Sequence, residues 1–137
     1  MALLDPPKSG AVVYTTPRGE LCTWMPAPGI HVVKMTGYLE KEVAPRFAAD
    51  FDRAHPGPLK AIFFDGGAMT GYESGFRIGM TDWAKGVKNR TDTLHVWVQS
   101  KLVQMGVAVA NLALGGVLRV HASRTAMETA VRAVVDS

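Results

Sequence analysis

A single cysteine, Cys22, is all the thiol chemistry available to this chain. One cysteine cannot close an internal disulfide, and no Cys/His pair stands at metal-site spacing, so a disulfide scaffold and a metal-stapled fold are both excluded. Long hydrophobic runs are scarce as well. The longest apolar stretch, Leu102 to Leu118, falls short of a membrane span and is broken by Gln104, Asn111 and three glycines. The opening MALLDPPKSG carries an acidic residue and two prolines where a secretory signal needs basic and then apolar regions. Clustered charge is missing too: 15 basic and 12 acidic residues give a net charge of +3 spread along the chain, without the basic patch and interleaved aromatics of a nucleic-acid footprint. These absences lead us to expect a cytoplasmic protein in a reducing setting, with neither nucleic acid nor membrane as partner.

Reactive constellations are equally thin. Gly66-Gly67 and Gly115-Gly116 lack the glycine spacing, the lysine and the Ser/Thr of a nucleotide loop, and read as turns. His31, His55, His95 and His121 are far apart in sequence, but three of them fall on expected strands, so two could meet across a sheet. Histidines so placed more often pack and hydrogen-bond than hold a metal. Cys22 has no evident base beside it and reads as a small apolar filler. With no nucleophile, base and acid in sight, the expectation is a protein that is not an enzyme and needs no cofactor.

What is present is one domain's worth of chain, 137 residues with 47% hydrophobic content. All eight prolines lie between Pro6 and Pro58, marking an irregular first third. Residues 1 to 10 are expected to be a mobile arm and 11 to 137 a single domain. Ala11 to Thr16, Glu20 to Met25 and Ile30 to Met35 read as three short strands separated by Pro17-Arg18-Gly19 and Pro26-Ala27-Pro28-Gly29 turns, forming an antiparallel meander. Trp24, beside the second turn, is expected to be partly exposed. Glu40 to Ala54 follows as a helix with Val43, Phe47, Phe51 and Ala54 at helical spacing.

The stretch from Leu59 to Arg77 organises the rest. Leu59, Ala61, Ile62, Phe63 and Phe64 form an apolar run ending in Asp65, as expected of a strand buried on both faces. A glycine-loosened loop then leads to Ser74, expected as the N-cap of a helix to Asn89 whose stripe is Phe76, Met80, Trp83 and Val87. Thr93 to Val98 completes a parallel βαβ unit. The helix from Lys101 to Leu114 is apolar nearly all round, so it is either a core helix beneath the N-terminal meander or a contact face for another chain. Leu118 to His121 is the last strand, and Ser123 caps a final helix with Met127, Ala130, Val131 and Val134 inward. The fold class is therefore α/β, in the order β-β-β-α-β-α-β-α-β-α, with no repeat.

Several pieces of that order resemble the STAS domain, the fold of bacterial anti-sigma-factor antagonists and of the cytoplasmic tails of sulfate transporters. They are Val33-Lys34-Met35-Thr36-Gly37-Tyr38-Leu39, the strand Ile62-Phe63-Phe64-Asp65, and Tyr72-Glu73-Ser74-Gly75-Phe76, which is similar to the family's Asp-Ser-Ser-Gly-Leu. The resemblance spans roughly Ile30 to Val135 and implies a STAS-like mixed central sheet, with an N-terminal meander and about four helices. It also implies a regulatory protein that acts by protein-protein interaction, with an anti-sigma factor, kinase or other regulator as partner, and a serine of the last motif as phosphorylation site. Glu73 stands where the family has aspartate, and Ser74 matches the acceptor with one residue deleted; without a gap, Gly75 takes that place. The plain reading of Ser74 is a helix cap, and its switch reading a phosphosite on a partner surface of Asp65, Thr70, Glu73, Ser74, Arg77 and Thr81. The alternative is a homo-oligomeric scaffold assembled through Leu102, Met105, Val109 and Leu112 or through the N-terminal strands.

Overall fold

The computed structural model describes residues 3–137, and its elements follow the expected order. Val12–Thr16 (β1), Gly19–Ala27 (β2) and Ile30–Leu39 (β3) form the antiparallel meander. Val43–Ala54 (α1) leads into Leu59–Tyr72 (β4), and Ser74–Val87 (α2) into Thr91–Val98 (β5) through a short 3₁₀ turn at Lys88–Arg90. Lys101–Ala113 (α3), Leu118–His121 (β6) and Arg124–Val135 (α4) complete the chain. The six strands lie side by side in sequence order, antiparallel from β1 to β3 and parallel from β3 to β6. Among the described residues no helix is long and apolar enough to cross a membrane.

Monotonic strand order decides where the helices go. Each of the three βαβ crossovers advances to the next strand in the same direction, and right-handed crossovers then place α1, α2 and α3 on one face of the sheet. Side chains alternate along β4 accordingly: Ile62 and Phe64 join the core beneath these helices, while Ala61 and Phe63 join a second core beneath α4. In the first core Phe47 and Phe51, one turn apart on α1, meet Trp83 edge-on with ring centroids 4.9 and 5.2 Å away. Such aromatic contacts add about 0.5–1.5 kcal/mol each beyond the area they bury. The Trp83 indole N–H donates to Asp52, which also accepts from Arg90; Arg90 in turn donates to the carbonyls of His55 and Gly57. One guanidinium thus closes the end of α1 against the turn after α2.

Three expectations change here. The segment after Asp65 is not a loop: β4 runs 14 residues, and Ala68 to Tyr72 pair with Thr36 to Leu39 of β3 well past the end of β5 at Val98. Gly66-Gly67 accordingly belongs to a strand, whereas Gly115-Gly116 is a turn, with both residues at φ +77° and hydrogen bonds back to Leu112 and Asn111 closing α3. The N-terminal meander does not cover α3, since β1 and β2 lie at the opposite margin of the sheet. Trp24 is buried in the second core.

In the segment expected as a mobile arm, Leu3 and Leu4 pack against that second core while residues 5 to 10 are exposed. Leu4 is fully buried among Met127, Val131 and Phe63, and Asp5 pairs with Arg124 at 2.8 Å. The arm therefore contributes apolar burial to the fold. Leu4→Ala is expected to cost about 2–3 kcal/mol, from lost transfer free energy and the cavity left behind. Urea unfolding checks this; an unchanged midpoint would show the arm undocked in solution.

Candidate functional site

The long β3–β4 ribbon sets the geometry of the candidate site, because both strands end together and both are followed by helices. Leu39 and Tyr72 are register partners, and the Glu73 N–H donates to the Leu39 carbonyl at 2.9 Å. The chain segments entering α1 and α2 therefore start side by side. Glu73, with extended backbone, is the N-cap of α2, and its carbonyl receives the first helical N–H groups, from Phe76 and Arg77. Its side chain turns the other way and accepts from the Lys41 N–H at 3.2 Å. Ser74, expected as the cap, is instead the first residue of the helix, exposed to solvent.

Gly75 is tied to the same junction. A Cβ built there would stand 2.9 Å from the Lys41 Cβ, tighter than side chains tolerate. A serine at 75 would press on the start of α1, so Ser74 is the hydroxyl this helix end presents. At the same junction the carboxylates of Glu40, Glu42 and Glu73 each offer an oxygen within 4.8 Å of the others. Two of the three are already engaged, Glu40 with the Arg18 guanidinium at 3.3 Å and Glu73 with the Lys41 N–H. Three carboxylates at one point could hold a hard cation, but exposed acidic groups commonly cluster without one.

Of the six residues expected on a partner surface, the structure brings four to the outside. Thr70 is exposed on the ribbon, Ser74 on the first turn of α2, and Glu73 and Arg77 are half-buried beside it. Asp65 and Thr81 are not available. Asp65 is buried on the α4 side, one oxygen accepting the Gly67 N–H at 3.1 Å and the other without a hydrogen-bond partner among the described residues. Thr81 lies one turn beyond Arg77 on the inner side of α2 and donates to the Arg77 carbonyl at 2.7 Å. Glu40, Lys41 and Glu42 are the residues that sequence reasoning missed. Nothing near them in sequence points to a site; the pairing of β3 with β4 puts them there.

The histidines meet as two pairs. His95 Nδ1 lies 2.9 Å from His121 Nε2 across β5 and β6, and His95 Nε2 lies 2.9 Å from the Thr93 hydroxyl. Three groups in a row are satisfied with both rings neutral, each passing one hydrogen to the next. The His95 ring also stacks on Phe63, with centroids 4.2 Å apart. His31 packs against Phe51 and His55. Burial pushes His31 and His95 down to about 4, with the neighbouring charges of His55 and Arg90, and of His121 and Arg119, acting in the same direction.

No protein-family model and no curated protein sequence matches the chain. Solved structures do resemble it. An anti-sigma factor antagonist from Mycobacterium paratuberculosis superposes with a TM-score of 0.59 at 16% identity, covering 94% of this chain and 99% of that one. A DUF3478-family protein with a SpoIIAA-like fold from Shewanella loihica gives 0.55 at 12% identity, over 88% and 91% of the two chains. The anti-sigma factor antagonist SpoIIAA in its unphosphorylated form gives 0.52 at 15% identity, over 90% and 97%. The fold is thus the STAS-like fold of anti-sigma factor antagonists, as the sequence motifs led us to expect.

The buried histidines make stability depend on pH. Their folded values near 4 lie below the ordinary 6.5, so between those limits the unfolded chain binds more protons than the folded one. Stability is complete above about pH 6.5 and is lost as pH falls toward 4. At about 1.4 kcal/mol per pH unit of displacement, each imidazole withdraws up to about 3 kcal/mol. Urea unfolding at a series of pH values checks this. A flat profile from pH 7 to 4.5 would contradict it, and His95→Gln is expected to reduce the slope.

Proposed function

We propose that this chain is a non-enzymatic, cytoplasmic regulatory protein that works by binding another protein, in the manner of anti-sigma factor antagonists. The observation that carries the reading is the exposed Ser74 on the first turn of α2, held at the junction of two helix starts and flanked by Thr70, Glu73 and Arg77. A side chain there is well placed for a partner to read: it projects from a helix end tied to the β3–β4 ribbon by the Glu73 N–H, which donates to the Leu39 carbonyl. The likeness of the fold to two anti-sigma factor antagonists supports the same reading.

Phosphorylation of Ser74 is the regulation this placement favours. A phosphoryl group brings about two negative charges. The α2 dipole would stabilise them, while Glu40, Glu42 and Glu73 would repel them, so the modified surface becomes strongly acidic. A partner fitted to the unmodified surface then meets repulsion. With the partner recovered by affinity capture, Ser74→Ala is expected to bind as wild type does and Ser74→Asp at least tenfold more weakly, about 1.4 kcal/mol. Equal affinity of wild type and Ser74→Asp would sink the switch.

A second reading has its own observation. On α3 the larger apolar side chains face solvent: Leu112 is 83% exposed and Met105 68%, with Leu102 and Val109 on the same face. Such a stripe fits assembly of the chain into a homo-oligomer. The expected result is a concentration-dependent dimer in sedimentation analysis that Met105→Glu with Leu112→Glu converts to monomer. A monomer at every concentration for the unaltered protein removes this reading.

A further inference from the structure

The inner side of α3 explains its inverted outer face. Val103, Gly106 and Ala110 line the crevice against α2 and the sheet, and none of them is larger than valine. A Cβ on Gly106 would strike the Tyr72 hydroxyl, so the helix can approach there only as glycine. The larger apolar side chains are left outside. Leu102, Met105, Val109 and Leu112 are each more than half exposed, and they stand three, four and three residues apart. Alternating steps of three and four keep a stripe on one side of a helix, which is the spacing of a seam along which one helix meshes with another.

This seam reads the same in both directions. Leu102 and Leu112 lie five residues either side of Val107, and Met105 and Val109 lie two either side. Laid against a second copy running the opposite way, α3 therefore sets Leu102 on Leu112 and Met105 on Val109, so that every large side chain of the stripe meets another. A twofold axis relates such a pair, and one self-complementary patch serves both copies. Ala108 and Ala113, exposed on the two flanks of the seam, let the helices come close. Charge decides against the parallel arrangement. Lys101 is the one charged residue of α3 and has no ion pair among the described residues. Parallel helices would bring two ammonium groups together at one end, whereas antiparallel ones hold them at opposite ends, about 18 Å apart along the axis.

We propose that two copies of the chain pair through α3 in antiparallel register, with a twofold axis beside Val107, Leu102 of each copy against Leu112 of the other and Met105 against Val109. This pairing rests on the homo-oligomer reading and fixes its direction and register. One helix face from each copy is at the small end of specific interfaces, so the dimer is weak, with a Kd on the order of 100 μM.

Disulfide trapping of the full chain reads the register. Leu102→Cys and Leu112→Cys are made singly, both at exposed positions; Cys22 is buried and gives no product in the unaltered protein. With dissolved oxygen as oxidant, a copper catalyst and protein at millimolar concentration, the equimolar mixture is expected to cross-link at least tenfold faster than either variant alone. Positions 102 and 112 face each other in the pair, while the two copies of position 102 lie about 15 Å apart along the axis. Faster cross-linking of either variant with itself would overturn the antiparallel register while leaving a dimer in place. Equal rates in all three samples would show random collision and overturn the pairing. An unaltered protein that sediments as a monomer up to millimolar concentration would remove the homo-oligomer reading and this register with it.

Discussion

Parallel pairing of β3 with β4 from Ile30 to Leu39, interrupted by two irregularities, is the constraint on which the other features depend. Backbone groups cannot be left unpaired in a sheet interior, and β4 meets this need from β3 on one side and, over its first half, from β5 on the other. Its second half has β3 alone. The two strands thus leave the sheet as a ribbon and release α1 and α2 from adjacent points. That shared exit brings Glu40 and Glu42 to Glu73 and Ser74, residues more than thirty positions apart. Glycines in the ribbon and just beyond it let neighbours in: a Cβ on Gly67 of β4 would strike the Trp97 ring, and one on Gly75 of α2 the stem of Lys41.

Much of the architecture was legible from local pattern. Periodicity of two or of 3.6 gave each element its type, and the proline turns separated the early strands. Ser123 was read correctly as the cap of α4, accepting the Ala126 N–H. The errors share a cause. Gly66, Gly67 and Gly71 weaken strand propensity, so the second half of β4 reads as a loop until its partner is known; the decision belongs to Thr36 to Leu39, far away in sequence. Leu4 lies among prolines that rule out regular structure, yet a non-helical segment can still bury one leucine. Asp65 and Thr81 looked like surface groups because they are polar, while their burial follows from which face of β4 and α2 they occupy. The α3 helix was seen to be unusual, but its apolar residues divide by size, and only packing shows which face takes the small ones.

Two kinds of chemistry therefore meet on α2. Its first turn displays the Ser74 hydroxyl beside Glu73, and its inner side lines an apolar crevice against α3. The histidine pairs stand apart from this region, at the strand end near His55 and on the α4 side of β5 and β6. Acid sensitivity of the fold is thus separate in space from the candidate partner surface.

The sheet's margins are short. β1 has five residues and β6 four, against fourteen in β4. A strand from another molecule laid along either margin would find few free N–H and C=O groups in register, although Val12, Val13 and Val120 are exposed there. Short edges are one way in which proteins discourage runaway sheet growth. The architecture thus keeps the first half of its longest strand locked between two neighbours, and leaves side chains on helices as a means by which the molecule can meet others without polymerising.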